Sequence, residues 1–87
     1  MSMKVAFTTY AWDEYLYWQT QDPKTLKRIN DLIDSIRRDP AGRGIGKTEL
    51  LRGNLAGWRS KRIDATNRMV YRVEEEAVVI AQLRFHY

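Results

Sequence analysis

The sequence has 87 residues, enough for one domain with a modest core, and its 44% hydrophobic and 11% aromatic content argues against disorder. No cysteine and a single histidine exclude disulfides, thiolate zinc sites, cysteine nucleophiles and any multi-histidine metal centre within one chain. The net charge of +4 suits a polyanionic partner, nucleic acid or acidic protein, and no apolar run reaches signal-peptide or membrane-span length, so a soluble cytoplasmic protein without membrane association is expected.

Lys4 to Phe7 reads as a short strand with Val5 and Phe7 on one face. Thr8 or Thr9 then caps a helix whose first turns carry Asp13 and Glu14, favourable near a positive helix N-terminus. Ala11, Tyr15 and Trp18, with Trp12 and Leu16, recur at helical spacing and form an aromatic stripe suited to core packing and interface surface. Asp22-Pro23 opens a second helix, and Leu26, Ile29, Leu32, Ile33 and Ile36 give it an apolar face. Asp39-Pro40 stops it, so the two helices form a hairpin across Thr20-Gln21-Asp22.

Residues 40–48 hold Gly42, Gly44 and Gly46 with Arg43 and Lys47 between them, which predicts a flexible basic loop. Gly46-Lys47-Thr48 lacks the spacing and the preceding strand of a phosphate-binding P-loop. Glu49 to Gly57 leads through a turn into three β-forming runs: Trp58 to Asp64, Arg68 to Val73, and Ala77 onwards. Their short connections predict an antiparallel meander. Alternation puts Ser60 and Arg62 on one face of the first run, and Met69, Tyr71 and Val73 opposite Arg68 and Arg72 in the second. In the last run it gives a core-facing stripe of Val79, Ala81, Leu83, Phe85 and Tyr87, with Ile80, Gln82, Arg84 and His86 on the other face. The expected fold is α+β: one domain over residues 1–87, a helix hairpin packed on a twisted, mainly antiparallel four-stranded sheet.

The side chains capable of chemistry are few: Lys47, Glu49, Arg52, Lys61, Arg62, Arg68, Arg84, His86 and Tyr87. Metal-independent cleavage of RNA needs a base for the 2′-OH, an acid for the leaving 5′-oxygen, and cations around the transition state. A carboxylate, a histidine and several arginines meet that requirement. Taken singly, each residue also has a plain structural reading. Glu49 can pair with Lys47 or Arg52 at the surface, Arg62 and Arg68 can lace neighbouring strands, His86 can face solvent, and Tyr87 can pack.

Several stretches occur in register along nearly the whole chain. They are Trp12-Asp13-Glu14-Tyr15-Leu16-Tyr17-Trp18-Gln19, Lys47-Thr48-Glu49-Leu50-Leu51, Asn54-Leu55-Ala56-Gly57, Ser60-Lys61-Arg62-Ile63, Arg68-Met69-Val70-Tyr71 and His86-Tyr87. Together they resemble the YoeB/Txe branch of the RelE-type toxins. The resemblance implies a RelE fold and a ribosome-dependent endoribonuclease that cuts mRNA in the A site by 2′-OH attack, without metal or other cofactor. It implies Glu49 as general base, His86 as general acid, Arg68 at the transition-state phosphate, and Tyr87 as a further catalytic residue. Lys47, Arg52, Lys61, Arg62 and Arg84 are expected to contact RNA phosphates. The expected partners are a cognate YefM-like antitoxin, the ribosome and mRNA, and a second copy in a homodimer, with operator DNA reached only through the antitoxin complex. The chain departs from the family pattern at Arg59, where an aromatic is usual, and at Thr48 and Leu50, where prolines flank the glutamate. Arg52 stands in place of a lysine, and Asn67 in place of a histidine. Two other readings stay open: a ParE-like toxin acting on DNA topology, and a non-catalytic basic binding module or co-repressor.

Overall fold

In the computed structural model, which describes residues 3–85, local capping chemistry sets the helices first. Helix α1 (Thr9–Gln21) begins where the Thr8 hydroxyl accepts the Ala11 amide at 3.1 Å. Helix α2 (Pro23–Arg38) begins one residue beyond the end of α1, at Asp22. The Asp22 carboxylate accepts the amides of Lys24 (3.0 Å) and Thr25 (3.4 Å) and the Thr25 hydroxyl (2.8 Å). These bonds, the Thr25 hydroxyl foremost, hold its carboxyl below the usual carboxylate range. Asp13 and Glu14 lie beyond the first turn of α1, which contains no acidic residue, so the helix dipole does not explain them.

Five strands form one sheet: β1 (Lys4–Phe7), β2 (Glu49–Leu50), β3 (Arg59–Arg62), β4 (Arg68–Val73) and β5 (Ala77–Gln82), in the order β1-β5-β4-β3-β2. Only β1 and β5 run parallel, and the other pairs are antiparallel. The expected four strands therefore become five. The addition is β2, two exposed residues paired with β3 through Glu49↔Ser60 and Leu50↔Arg59. Two residues are too few to show alternation, so the sequence disguises this strand as loop.

Both helices cover one sheet face. Ala11 and Trp18 of α1, with Ile29, Leu32, Ile33 and Ile36 of α2, pack against Met69, Tyr71, Val78, Ile80 and Leu83. The core stripe of β5 thus begins on Val78 and Ile80 rather than on Val79 and Ala81. A bulge explains the change. Tyr71 pairs with Ile80 but Val70 pairs with Gln82, so Ala81 is an extra residue and the parity of everything after it inverts. Leu83 returns to the core only because of that insertion. The aromatic stripe of α1 also divides: Trp18 is buried, whereas Trp12 and Leu16 are exposed.

The basic loop before β2 is anchored rather than loose. Lys61, fully buried, donates from its ammonium to the carbonyls of Ile45 (2.7 Å) and Gly46 (2.8 Å). Ser35 accepts the Ile45 amide, Thr48 donates to the Gly42 carbonyl, and Arg59 donates to the Pro40 carbonyl. Gly44 passes so near α2 that an added Cβ would stand 1.8 Å from the Ser35 hydroxyl, and Gly46 turns with φ +75°. Among the described residues no helix is long and apolar enough to cross a membrane.

Candidate active site

The sheet face away from the helices carries the polar residues. Register places Glu49 beside Ser60, Ser60 beside Val70, and Arg62 opposite Arg68. At the centre, the Arg68 guanidinium is mostly enclosed and reaches the Glu49 carboxylate at 3.2 Å. Its Nε donates to the Ser60 hydroxyl at 2.5 Å. Ser60 is fully buried, so the arginine is braced from below by a side chain whose function the sequence does not announce. Its one visible sign is that it shares the parity of Arg62. The arrangement puts a carboxylate and a guanidinium at hydrogen-bonding range on a rigid sheet, with Glu49 half-exposed to an incoming ligand.

The expected phosphate contacts divide. Lys47 and Arg52 are exposed on either side of Glu49, and Arg62 is exposed beside Arg68. Lys61 points the other way. It lies on the helix side and spends its ammonium on the loop carbonyls, so it is a post for the loop and not a surface cation. Burial, then the neighbouring Arg28, pushes its pKa down. Arg84 is directed towards α1, its guanidinium 3.7 Å from the centre of the Tyr17 ring and 4.5 Å from that of Phe85. Arg72 lies over the Trp58 ring at 4.6 Å and pairs with Glu74.

Beyond the end of β5, side chains supply most of the bonds that hold the backbone. The Glu14 carboxylate accepts the Leu83 amide at 2.7 Å, and Trp18 Nε1 donates to the Leu83 carbonyl at 2.9 Å. At Phe85 the backbone turns into the left-handed region, φ +63°. Its carbonyl accepts the Arg68 amide at 3.1 Å, so the last described peptide group is bonded to the residue whose side chain meets Glu49. His86 and Tyr87 lie outside the described residues, as does the question of which face each takes.

Burial raises the pKa of Glu14 above the ordinary glutamate range, outweighing the backbone bonds to Leu83 and Arg84 and the charge of Arg84. A raised carboxyl pKa contributes stability that is fully present below its unfolded value and is lost as pH rises through the folded value. Glu14→Gln should therefore flatten the fall in stability that sets in as pH rises above the ordinary glutamate range. Urea midpoints across that rise in pH check it, and an unchanged slope would contradict the assignment.

Among the described residues no group of His, Cys, Asp or Glu could hold a metal ion. The family model of the YoeB-like toxin of bacterial type II toxin-antitoxin systems matches residues 7–87. Toxin YoeB of Streptomyces coelicolor is 47% identical over 85 residues, covering 98% of this chain and all of the relative. A YoeB dimer from Staphylococcus aureus superposes with a TM-score of 0.91 at 40% identity over the full length of both chains. The heterotetrameric YoeB-YefM toxin-antitoxin complex from the same organism matches with a TM-score of 0.90 at 40% identity, again over both full lengths. With that coverage and the shared sheet and helix hairpin, this chain belongs to the YoeB-like toxins of bacterial type II toxin–antitoxin systems.

Proposed function

We propose that the protein is a cytoplasmic endoribonuclease that cuts mRNA in the ribosomal A site and so stops translation, held in check by a YefM-type antitoxin. The observation that carries this reading is the Glu49–Arg68 pair braced by Ser60 on the open sheet face. In the reaction, Glu49 takes the proton of a 2′-OH, whose oxygen attacks the adjacent phosphorus. The P–O5′ bond breaks, and His86 protonates the departing 5′-oxygen. The products carry a 2′,3′-cyclic phosphate and a free 5′-OH. Arg68 neutralises the charge that grows on the phosphate oxygens, where a preorganised guanidinium acts most strongly. Arg62, Lys47 and Arg52 hold flanking phosphates, and Tyr87 supports the acid.

A carboxylate already resting on the arginine favours this over the ParE-like and binding-only readings, because a non-catalytic basic surface gains nothing from neutralising its central cation. The Staphylococcus complex supports a YefM-type antitoxin partner, and the Staphylococcus dimer supports self-association. Exposed Val5, Tyr10, Trp12 and Leu16 supply apolar surface of the kind partner chains cover. Operator DNA is then met through the antitoxin complex.

Primer extension on mRNA with purified ribosomes tests the reading. Wild-type protein should give codon-phased cuts that depend on ribosomes, with 5′-OH downstream ends. Deleting Tyr87 should cripple cutting while leaving the unfolding midpoint nearly unchanged. Translation arrest without cuts, equally strong in His86→Ala, would establish a binder instead of an enzyme.

A further inference from the structure

The β3–β4 turn contains a small polar network around the buried Asn67 that the reaction as described leaves unused. The Asp64 carboxylate accepts the amides of Thr66 (2.9 Å) and Asn67 (2.8 Å), closing the turn. It also receives the Asn67 side-chain amide, Nδ2, at 3.0 and 3.1 Å. Asn67 is buried, and these contacts fix which way its amide points: nitrogen to the carboxylate, oxygen outward. That oxygen accepts the backbone amide of Phe85 at 2.7 Å. Phe85 is the one described non-glycine residue with positive φ, a conformation that is costly outside glycine and persists only where neighbours enforce it. The enforcement is visible on both sides of the residue. Asn67 takes its N–H, while the Arg68 amide and, at 3.3 Å, the Gln82 side chain donate to its carbonyl.

We infer that Asn67 is a positioning residue for the cleavage site: together with Asp64 it sets the left-handed turn at Phe85, the residue that immediately precedes His86 and Tyr87 in the sequence. The inference rests on the endoribonuclease reading above. Asn67 touches neither substrate nor reacting atoms in this role. It acts through the backbone, linking the turn that delivers Arg68 to the turn that precedes the acid. Ordinary strand pairing cannot do this work, since β5 ends at Gln82 and the following amides of Leu83 and Phe85 are taken by the side chains of Glu14 and Asn67.

The test is single-turnover, ribosome-dependent cleavage by the full chain, with hydrogen exchange at the Phe85 amide measured alongside. Asn67→Ala should lower the maximal rate about 10²-fold, the scale expected for a misplaced catalytic group, with the half-saturating ribosome concentration within about threefold of wild type. The Phe85 amide should exchange at least about tenfold faster, and the Ile80 amide in the core strand should keep its protection. Asn67→Asp alone should also be poor, because two carboxylates then face each other. The double variant Asp64→Asn with Asn67→Asp restores a donor–acceptor pair in reversed polarity and leaves an oxygen for Phe85, so it should recover most of the rate and the protection. If Asn67→Ala cleaves as wild type, or the reversed pair is as slow as the alanine variant while folded, the inference is wrong. If wild-type protein makes no cuts, the endoribonuclease reading fails and the positioning role falls with it. A wild-type cutter whose Phe85 amide is unprotected sinks the positioning role alone.

Discussion

Glu49→Ala should reduce ribosome-dependent mRNA cleavage by about 10²–10⁴-fold, the range expected when a positioned general base is lost. His86→Ala should fall in the same range for the acid. Glu49→Gln is the sharper variant, since it keeps the shape and an oxygen for Arg68 but cannot take a proton. The fold should tolerate these changes at position 49. The Glu49–Arg68 pair is half-exposed on its acidic side, so its contribution to stability is at most about 1 kcal/mol. Arg68 also keeps its bond to Ser60. Cleavage in single-turnover assays, set beside urea midpoints, separates the two effects. Wild-type cutting by Glu49→Gln would remove Glu49 from the role of base.

Lys61→Ala should have the largest effect on stability, about 3 kcal/mol, through loss of packed methylenes and of two charge-assisted bonds to loop carbonyls. That is a large fraction of the stability of a small domain. Lys61→Met, which keeps the stem and removes the charge, should cost less than Lys61→Ala but still loosen residues 40–48. Both variants should lower the urea midpoint, and the loop amides should lose protection. A residue that served only as a surface phosphate contact would behave otherwise: RNA or ribosome binding would weaken while the midpoint stayed in place. The contrast decides between a post inside the protein and a cation on its surface.

The sequence made the helices legible because their signals are local. Asp22-Pro23 marks a cap through chemistry that needs no distant partner, and α2 keeps a full apolar face from Ile29 to Ile36. Strand β4 was readable for the same reason, with Met69 and Tyr71 buried as alternation requires. The failures come from contacts distant in sequence. Strand β2 exists only because β3 is there to pair with it. The bulge at Ala81 depends on the register with β4, and a strict period of two carried past it puts the wrong residues in the core. Glu49 and Arg68 stand out in the sequence as candidates through family resemblance and residue chemistry. Their approach at 3.2 Å is a product of the sheet register, which no spacing in the sequence reveals. A lysine between Ser60 and Arg62 reads as solvent-facing, whereas Lys61 is buried because the loop folds over it. Glu14 looked like a helix-dipole charge and is instead a buried acceptor for the end of β5.

The parallel pairing of β1 with β5 joins residues near opposite ends of the sequence, Lys4 with Ala77 through Phe7 with Ile80. During synthesis the chain emerges from its N-terminus, so β1 has no partner until residues 77–80 have been made. The helix hairpin can form early, since its caps and its contacts between α1 and α2 are local, but the sheet it covers cannot close. The Phe85 turn and the bond it makes to Arg68 come later still. Assembly of the Glu49–Arg68 surroundings is thereby tied to late-made residues: a nascent copy attached to the ribosome that makes it lacks them in finished form until residues 77–85 have been added.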